Sequence, residues 1–221
     1  MEAAKPDTKI KEALSFDGID DYVQIPESPS LYCTEFSIAF WLKLTSYPAK
    51  YSRVISKTDG STDGYAIVFD NSAVKKIYIA IRAVTGTESN TAIFSKPLPN
   101  GIWRHYAFTC YGHKLTAYED GVAMGMSYLK EKYEPNSMHD LTFGRTSTGL
   151  SDFAAMNLND VRLFTRALAI NEVSQIYQGK AVTANLAGHW KLDEGSGEVA
   201  IDSSKNENNG KIIGAKYVSS K

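Results

Sequence analysis

Several things are scarce in this 221-residue chain, and each scarcity excludes something. Two cysteines, Cys33 and Cys110, allow at most one disulfide, and they also suit two buried thiols that behave as small hydrophobes. Neither sign of charge dominates: 24 lysines and arginines face 25 aspartates and glutamates, a formal net charge of -1. That balance gives no electrostatic reason to expect nucleic acid as a partner. No apolar run approaches the ~18 residues of a membrane span. Met1 to Glu12 is too charged for a secretion signal, so the chain reads as soluble and unaddressed. No N-x-S/T sequon occurs.

The usual catalytic signatures are missing too. His105, His113, His139 and His189 are scattered without H-x-x-x-H spacing or cysteine partners, which argues against zinc. Gly195 to Ala200 fits G-x-G-x-x-A, but no helical pattern follows it, and a dinucleotide site is discounted. There is no P-loop, nucleophile elbow or C-x-x-C. The neighbouring acids Asp20-Asp21, Glu119-Asp120 and Asp193-Glu194 point to opposite faces if they lie on strands, and they read as solvated turn residues.

What the chain does contain is period-two alternation rich in β-branched and aromatic residues. It recurs at 22–25, 36–44, 53–56, 65–69, 77–83, 91–95, 104–111, 115–119, 141–143 and 161–164. Turns such as Asp63-Gly64, Asn100-Gly101 and Asp120-Gly121 separate these segments. Many short strands with regular turns predict an all-β antiparallel sandwich. One short helix is expected over 168–177, where Leu168, Val173, Ile176 and Tyr177 share a face and Gly179 follows as a stop. Residues 1–12 read as a flexible segment, although 9–14 can add a strand. After a linker at 180–187, strand signals return at His189 to Leu192 and at Lys211 to Val218, around a polar loop from Asp202 to Gly210.

Residues 13–26, running from Ala13 through Phe16-Asp17-Gly18 and Asp20-Asp21-Tyr22-Val23 to Pro26, resemble the opening strand of laminin G-like domains of the concanavalin A-like lectin/glucanase superfamily. Phe36 to Lys43, Trp103 to Thr109, Tyr118 to Gly121, and Asn159 to Leu168 with Asn171 to Val173 resemble four further family blocks, in order. His189 to Gly197 and Asp202 to Gly210 resemble the segment that normally precedes the opening strand. The similarity therefore implies a circularly permuted order: one jelly-roll domain over 13–218, with 188–218 as a displaced terminal segment. That segment is expected to complete its own sheet rather than pair with another copy, because an unfilled strand position exposes an edge.

The resemblance implies a noncatalytic, lectin-like module of an extracellular or cell-surface protein that binds a glycan or polysaccharide. A structural adhesion module recognising protein is the alternative. A monomer is expected, with a strand-exchanged oligomer as the competing state. Retaining glycosidases of the superfamily carry E-x-D-x-E on one strand face, and that triplet is absent here, so no enzymatic activity is expected. Calcium is the one cofactor implied, since it takes six to eight oxygens from carboxylates, amides and carbonyls. One candidate site joins Asp17, Asp21, Asp59, Gly60 and Asn159, where Asn159 replaces the acid found in related sandwiches and Asp160 is expected to point away. A second centres on Asp63, similar in position to a pentraxin calcium ligand, but the acidic partner loop has no counterpart in Gly144 to Gly149. Trp41, Trp103 and Trp190 fall in strand positions and read as core. Aromatic loop residues suit stacking on sugar rings and planar polar groups suit their hydroxyls. The candidate ligand residues are therefore Tyr47, Tyr51, Tyr65, Arg82, Tyr111, Arg145, Asp152 and Phe153, with Tyr128 as a further loop aromatic.

Overall fold

The structure is a computed structural model that describes residues 10–47, 51–58, 64–70, 76–81, 90–93, 97–129 and 137–219. Two antiparallel sheets face one another. The first runs β10 (Val122–Tyr128), β9 (Lys114–Glu119), β8 (Arg104–Tyr111), β3 (Phe36–Leu44), β12 (Ala155–Phe164), β1 (Glu12–Asp17) and β16 (Lys216–Ser219), with β13 (Leu186–Trp190) also paired to β12. The second runs β14 (Val199–Ala200), β15 (Gly210–Ile213), β2 (Tyr22–Ile25), β11 (Leu141–Phe143), β4 (Arg53–Lys57), β5 (Tyr65–Asp70), β6 (Lys76–Ile81) and β7 (Asn90–Ile93). One α-helix, α1 (Ile170–Tyr177), lies on the outside of the first sheet. Among the described residues no helix is long and apolar enough to cross a membrane.

Alternation explains which side chains meet between the sheets. In β3 the even-numbered residues Phe36, Ile38, Phe40 and Leu42 point inward, opposite Val23, Ile25, Ile55, Ile67 and Phe143 of the second sheet. β3 is nonetheless buried at nearly every position, because the odd-numbered Ala39 lies beneath α1 with Ala107, Phe164, Val173 and Ile176. Small residues at the sheet surface let the helix approach closely. Glu172 holds the first turn by accepting the Ala169 N–H at 2.9 Å and pairing with Arg166.

The C-terminal region pairs within its own chain. β16 aligns Tyr217 with Leu14 of β1, and β15 aligns Ile212 with Val23 of β2. The single strand expected over 211–218 is two strands that enter different sheets. Gly214, at φ 76°, turns the chain between them, and a Cβ there would sit 2.1 Å from Asp21 Oδ1. The polar loop before β15 is organised by the Asp202 carboxylate, which accepts the backbone N–H groups of His189, Ser204 and Asn208. Asn208 in turn accepts the Trp190 indole N–H on its carbonyl at 2.8 Å. Trp190 is fully buried and meets Phe143 edge-on at 5.4 Å. Cys33 and Cys110 are buried free thiols, and burial pushes both up to about 12.

Candidate functional site

The outer edge of β12 changes partner along its length. β1 pairs with it over Ala155 to Leu158, and β13 takes over from Val161 to Phe164. Between the two, the β3–β12 register gains one residue: Asn159 faces Trp41, while Arg162 faces Ala39. This is a β-bulge with Asp160 in the left-handed region at φ 52°. The handover leaves a notch in the sheet, and its backbone groups are satisfied locally. Asn159 Nδ2 donates to the carbonyls of Glu12 at 3.0 Å and Lys191 at 2.9 Å, and the Asp160 N–H also reaches Lys191 O at 2.9 Å.

The notch opens into a cleft of about 740 Å³, within the size range of small-ligand sites. Its floor carries Trp41, Asn159, Asp160 and Arg162. Its walls come from Ile10 to Glu12, from His189, Lys191 and Asp193, and from Gly179 and Ser219. Arg162 grips Asp160 with two hydrogen bonds of 2.9 Å, and His189 Nε2 lies 2.7 Å from Asp160 Oδ1. Burial opposes ionisation of Asp160, but the His189 hydrogen bond and the Arg162 charge outweigh it and hold the carboxyl below its ordinary range. Lys11, Arg162 and Lys191 offset Glu12, Asp160 and Asp193, so the cleft is rich in hydrogen-bonding groups without a dominant sign. Trp41 is wedged between His105, at 5.3 Å, and Tyr177, at 5.7 Å. His105 is completely buried and neither ring nitrogen has a hydrogen-bond partner among the described residues; burial lowers it to about 4.

Several sequence expectations change here. Trp190 and Trp41 are both buried as expected, although an edge of Trp41 reaches the cleft, whereas Trp103 precedes β8 and is only half-buried. Asn159 does not join the acids of the β1–β2 turn: Asp17 pairs with Ala155, four residues away along β12, or roughly 13 Å. Asp160 does not point away from Asn159, since the bulge sets both into one cleft. His189 meets the Asp160 carboxylate, whereas His105 has no hydrogen-bond partner among the described residues. Tyr65 is 1% exposed and stacked on Phe36 at 4.8 Å, which removes it from any surface. Arg145 is buried on the Tyr22 ring at 4.1 Å and donates to Thr146 O and Gly149 O, so its guanidinium braces that loop.

The other candidates are dispersed. Asp59, Gly60, Asp63 and Arg82 lie outside the described residues. Tyr47 is exposed beyond the end of β3. Exposed Tyr51 donates its N–H to Phe69 O of β5, and half-buried Asp152 accepts the Arg53 N–H of β4 on its carbonyl, with Phe153 next in sequence. Tyr111 and Tyr128 are strand residues rather than loop residues. Asp17 and Asp21 do come together with Asp20, their carboxylate oxygens within 4.8 Å of one another, and this cluster is able to hold a metal ion. Asp21 Oδ2 accepts the Asp17 N–H at 2.9 Å. Burial, with the neighbouring charges of Asp17 and Asp20, raises the Asp21 carboxyl above its usual range. The cleft residues beyond Asn159 were present in the sequence as the strand blocks Asp160-Val161-Arg162 and His189-Trp190-Lys191, and only the bulge brings them into one site.

The sequence profile of a laminin G-type family, described as the concanavalin A-like lectin/glucanases superfamily, matches residues 17–174. No curated protein sequence matches the chain. Among solved structures, a Bacteroides ovatus protein designated as carbohydrate-binding superposes with a TM-score of 0.75 at 18% identity, covering 96% of this chain and 60% of its own. The chain thus spans 60% of that protein's length. A heptameric pentraxin from Limulus polyphemus gives 0.69 at 11% identity, with 95% of both chains covered. Domain 4 of an extracellular arabinanase from Geobacillus stearothermophilus, solved with arabinotriose, gives 0.58 at 15% identity, with 78% and 79% covered.

Proposed function

Because this chain belongs to the concanavalin A-like lectin/glucanases superfamily, we propose that it is a noncatalytic carbohydrate-binding module that holds a glycan in the cleft at the β12 bulge. The observation that carries this reading is the grouping of Trp41, Asn159, Asp160 and Arg162 on one cleft floor. Trp41, stacked on Tyr177, offers only an edge of its indole as an apolar contact for a sugar ring, while planar amide, carboxylate and guanidinium groups suit adjacent hydroxyls. The carbohydrate named with the arabinanase domain and the designation of the Bacteroides ovatus protein support the same ligand class. Asp160, held ionised by Arg162 and His189, is fitted to accept hydrogen bonds from sugar hydroxyls.

The test is titration calorimetry of the intact chain against glycans selected on an array. Saturable binding to the monomer is expected, weakened about tenfold by Arg162→Lys, which keeps the charge but loses the two-pronged donor. Absence of any glycan ligand overturns the reading, and release of shorter saccharides overturns its noncatalytic part.

Placement outside the cell or on its surface, and calcium as a brace for the β1–β2 turn, belong to the same proposal. Asp17, Asp20 and Asp21 supply the hard oxygen donors that calcium takes. A cation there would offset the burial, and with it the repulsion from Asp17 and Asp20, that raise the Asp21 carboxyl. Calcium is expected to raise the thermal midpoint reversibly, by about 2.7 kcal/mol of stability at a hundredfold excess over Kd, and Asp21→Asn is expected to abolish that rise. An equal midpoint in calcium and in chelator removes calcium from the account.

A further inference from the structure

On the same sheet, far from the cleft, the register places Tyr111 of β8 opposite Lys114 of β9, and Lys114 opposite Tyr128 of β10. Directly paired residues share a sheet face, so the three side chains form one row across three adjacent strands. Tyr111 is 66% exposed and Tyr128 67% exposed, and Met126, on the same face one step along β10, is exposed beside them. The row is tied down at this end. The Leu129 N–H donates to His113 O at 2.6 Å, and the His113 ring meets Leu129 O at 3.3 Å, so the β8–β9 hairpin and the end of β10 are held together.

We propose that Tyr111, Lys114 and Tyr128 form a second carbohydrate-contact surface, a flat strip that takes an extended, β-linked polysaccharide across β8, β9 and β10. The proposal rests on the glycan-binding reading above and extends it to linear chains. Two strand spacings separate the tyrosines by about 10 Å. A pyranose ring is about as wide as one spacing, so the tyrosines meet the first and third sugars and Lys114 meets the second. In an extended β-linked chain alternate sugars present the same face, which lets two rings on one side of the sheet stack on sugars one and three. The Lys114 ammonium offers three donors to the hydroxyls and ring oxygen between them. The dimensions disfavour a protein partner: three or four side chains on a strip fall far below the ~800 Å² per partner of a stable interface. Among the described residues of the row Lys114 is the one basic side chain, short of the basic cluster that a charged lipid surface needs.

The test uses the intact chain with xylose, mannose and glucose β-1,4-oligosaccharides of two, three and six sugars, titrated by calorimetry. Trisaccharides are expected to bind about tenfold tighter than disaccharides, since only they reach both tyrosines. The Tyr111→Ala/Tyr128→Ala double variant should lose that gain while its thermal midpoint and circular dichroism stay unchanged, and Lys114→Ala should lose part of it. Arg162→Lys, in the cleft, should leave the length dependence intact. A length dependence that survives in the tyrosine double variant overturns the strip and leaves the cleft reading standing, as does equal affinity for two and three sugars. A wild-type chain that binds none of these oligosaccharides overturns the strip; if the array also finds no ligand, the carbohydrate reading falls with it.

Discussion

Two adjoining parts of one sheet face are put to opposite uses. Beneath α1, the outward side chains of β3, β8 and β12 are Ala39, Ala107 and Phe164, and the helix closes over them. Arg162 lies directly across from Ala39, and two residues further along β3, past the bulge, Trp41 faces Asn159; these three outward side chains line a cleft. The backbone is the same sheet throughout, so side-chain volume and polarity decide which part is covered. An alanine pair admits a helix at packing distance, whereas the amide and guanidinium of the floor offer α1 no apolar surface to bury, and the Trp41 indole meets the helix only through its last residue. The helix ends at Tyr177, which stacks on Trp41, and Gly179 beyond it lines the cleft. Binding groups are therefore found where the lid stops.

The largest expected effect breaks this contrast at its apolar side. Ile176 is fully buried under the lid, and Ile176→Ala should cost about 2–5 kcal/mol through lost transfer energy and the cavity left behind. Lys191→Ala, on the exposed wall of the cleft, should change stability by less than about 0.5 kcal/mol. Urea unfolding of both variants checks the pair. Comparable losses would mean that the cleft wall is as structural as the lid.

His105 sits on the border between the two parts, beside both Trp41 and Tyr177. Burial lowers it from 6.5 to about 4, so between those values the unfolded chain takes up a proton that the folded one refuses. Its contribution to stability is constant above about pH 6.5 and falls as the pH drops toward 4, by roughly 3 kcal/mol in all at 1.36 kcal/mol per pH unit. His105→Phe keeps a ring in place and has nothing to protonate. Its midpoint should fall less between pH 7 and pH 4 than that of the wild type, and identical pH profiles for the two proteins would exclude His105 as the acid-sensitive group.

Much of the sandwich was legible because alternation is a local signal. β2, β3, β8 and β11 coincide with their expected residues, and α1 lies within its expected range. β10 escaped notice since Met124, Gly125 and Met126 carry no β-branched signature, although it completes the Asp120-Gly121 hairpin. The cleft was not legible for a different reason. A single inserted residue in β12 reverses which side Asp160 faces, and no local pattern at Asn159 announces it. Trp41 is buried as its strand position implied, but on the outward face, where it packs against Tyr177 and an edge reaches the cleft. Tyr65 and Arg145 fit the chemistry of a ligand contact, but the inward face of β5 and the ring of Tyr22 claim them first.

The smallest expected effect tests whether lid and cleft are independent. Glu172 anchors the start of α1, at the end away from Gly179, through the Ala169 N–H and the Arg166 guanidinium. The Arg166 hydrogen bond lowers the Glu172 carboxyl below its usual range, against the small opposing effect of burial. A depressed carboxyl contributes stability above its unfolded value and loses it as the pH falls through the folded one. Because the pair is partly open to solvent, Glu172→Gln should cost about 1 kcal/mol or less at pH 7, and the difference should shrink as the pH falls below the ordinary glutamate value of 4.5. Only the first turn of the helix is loosened, and Tyr177 stays stacked on Trp41. Glycan affinity in the cleft should therefore be unchanged while the thermal midpoint drops. An affinity that falls in step with the midpoint would show that the packing under α1 reaches across the sheet to set the shape of the cleft.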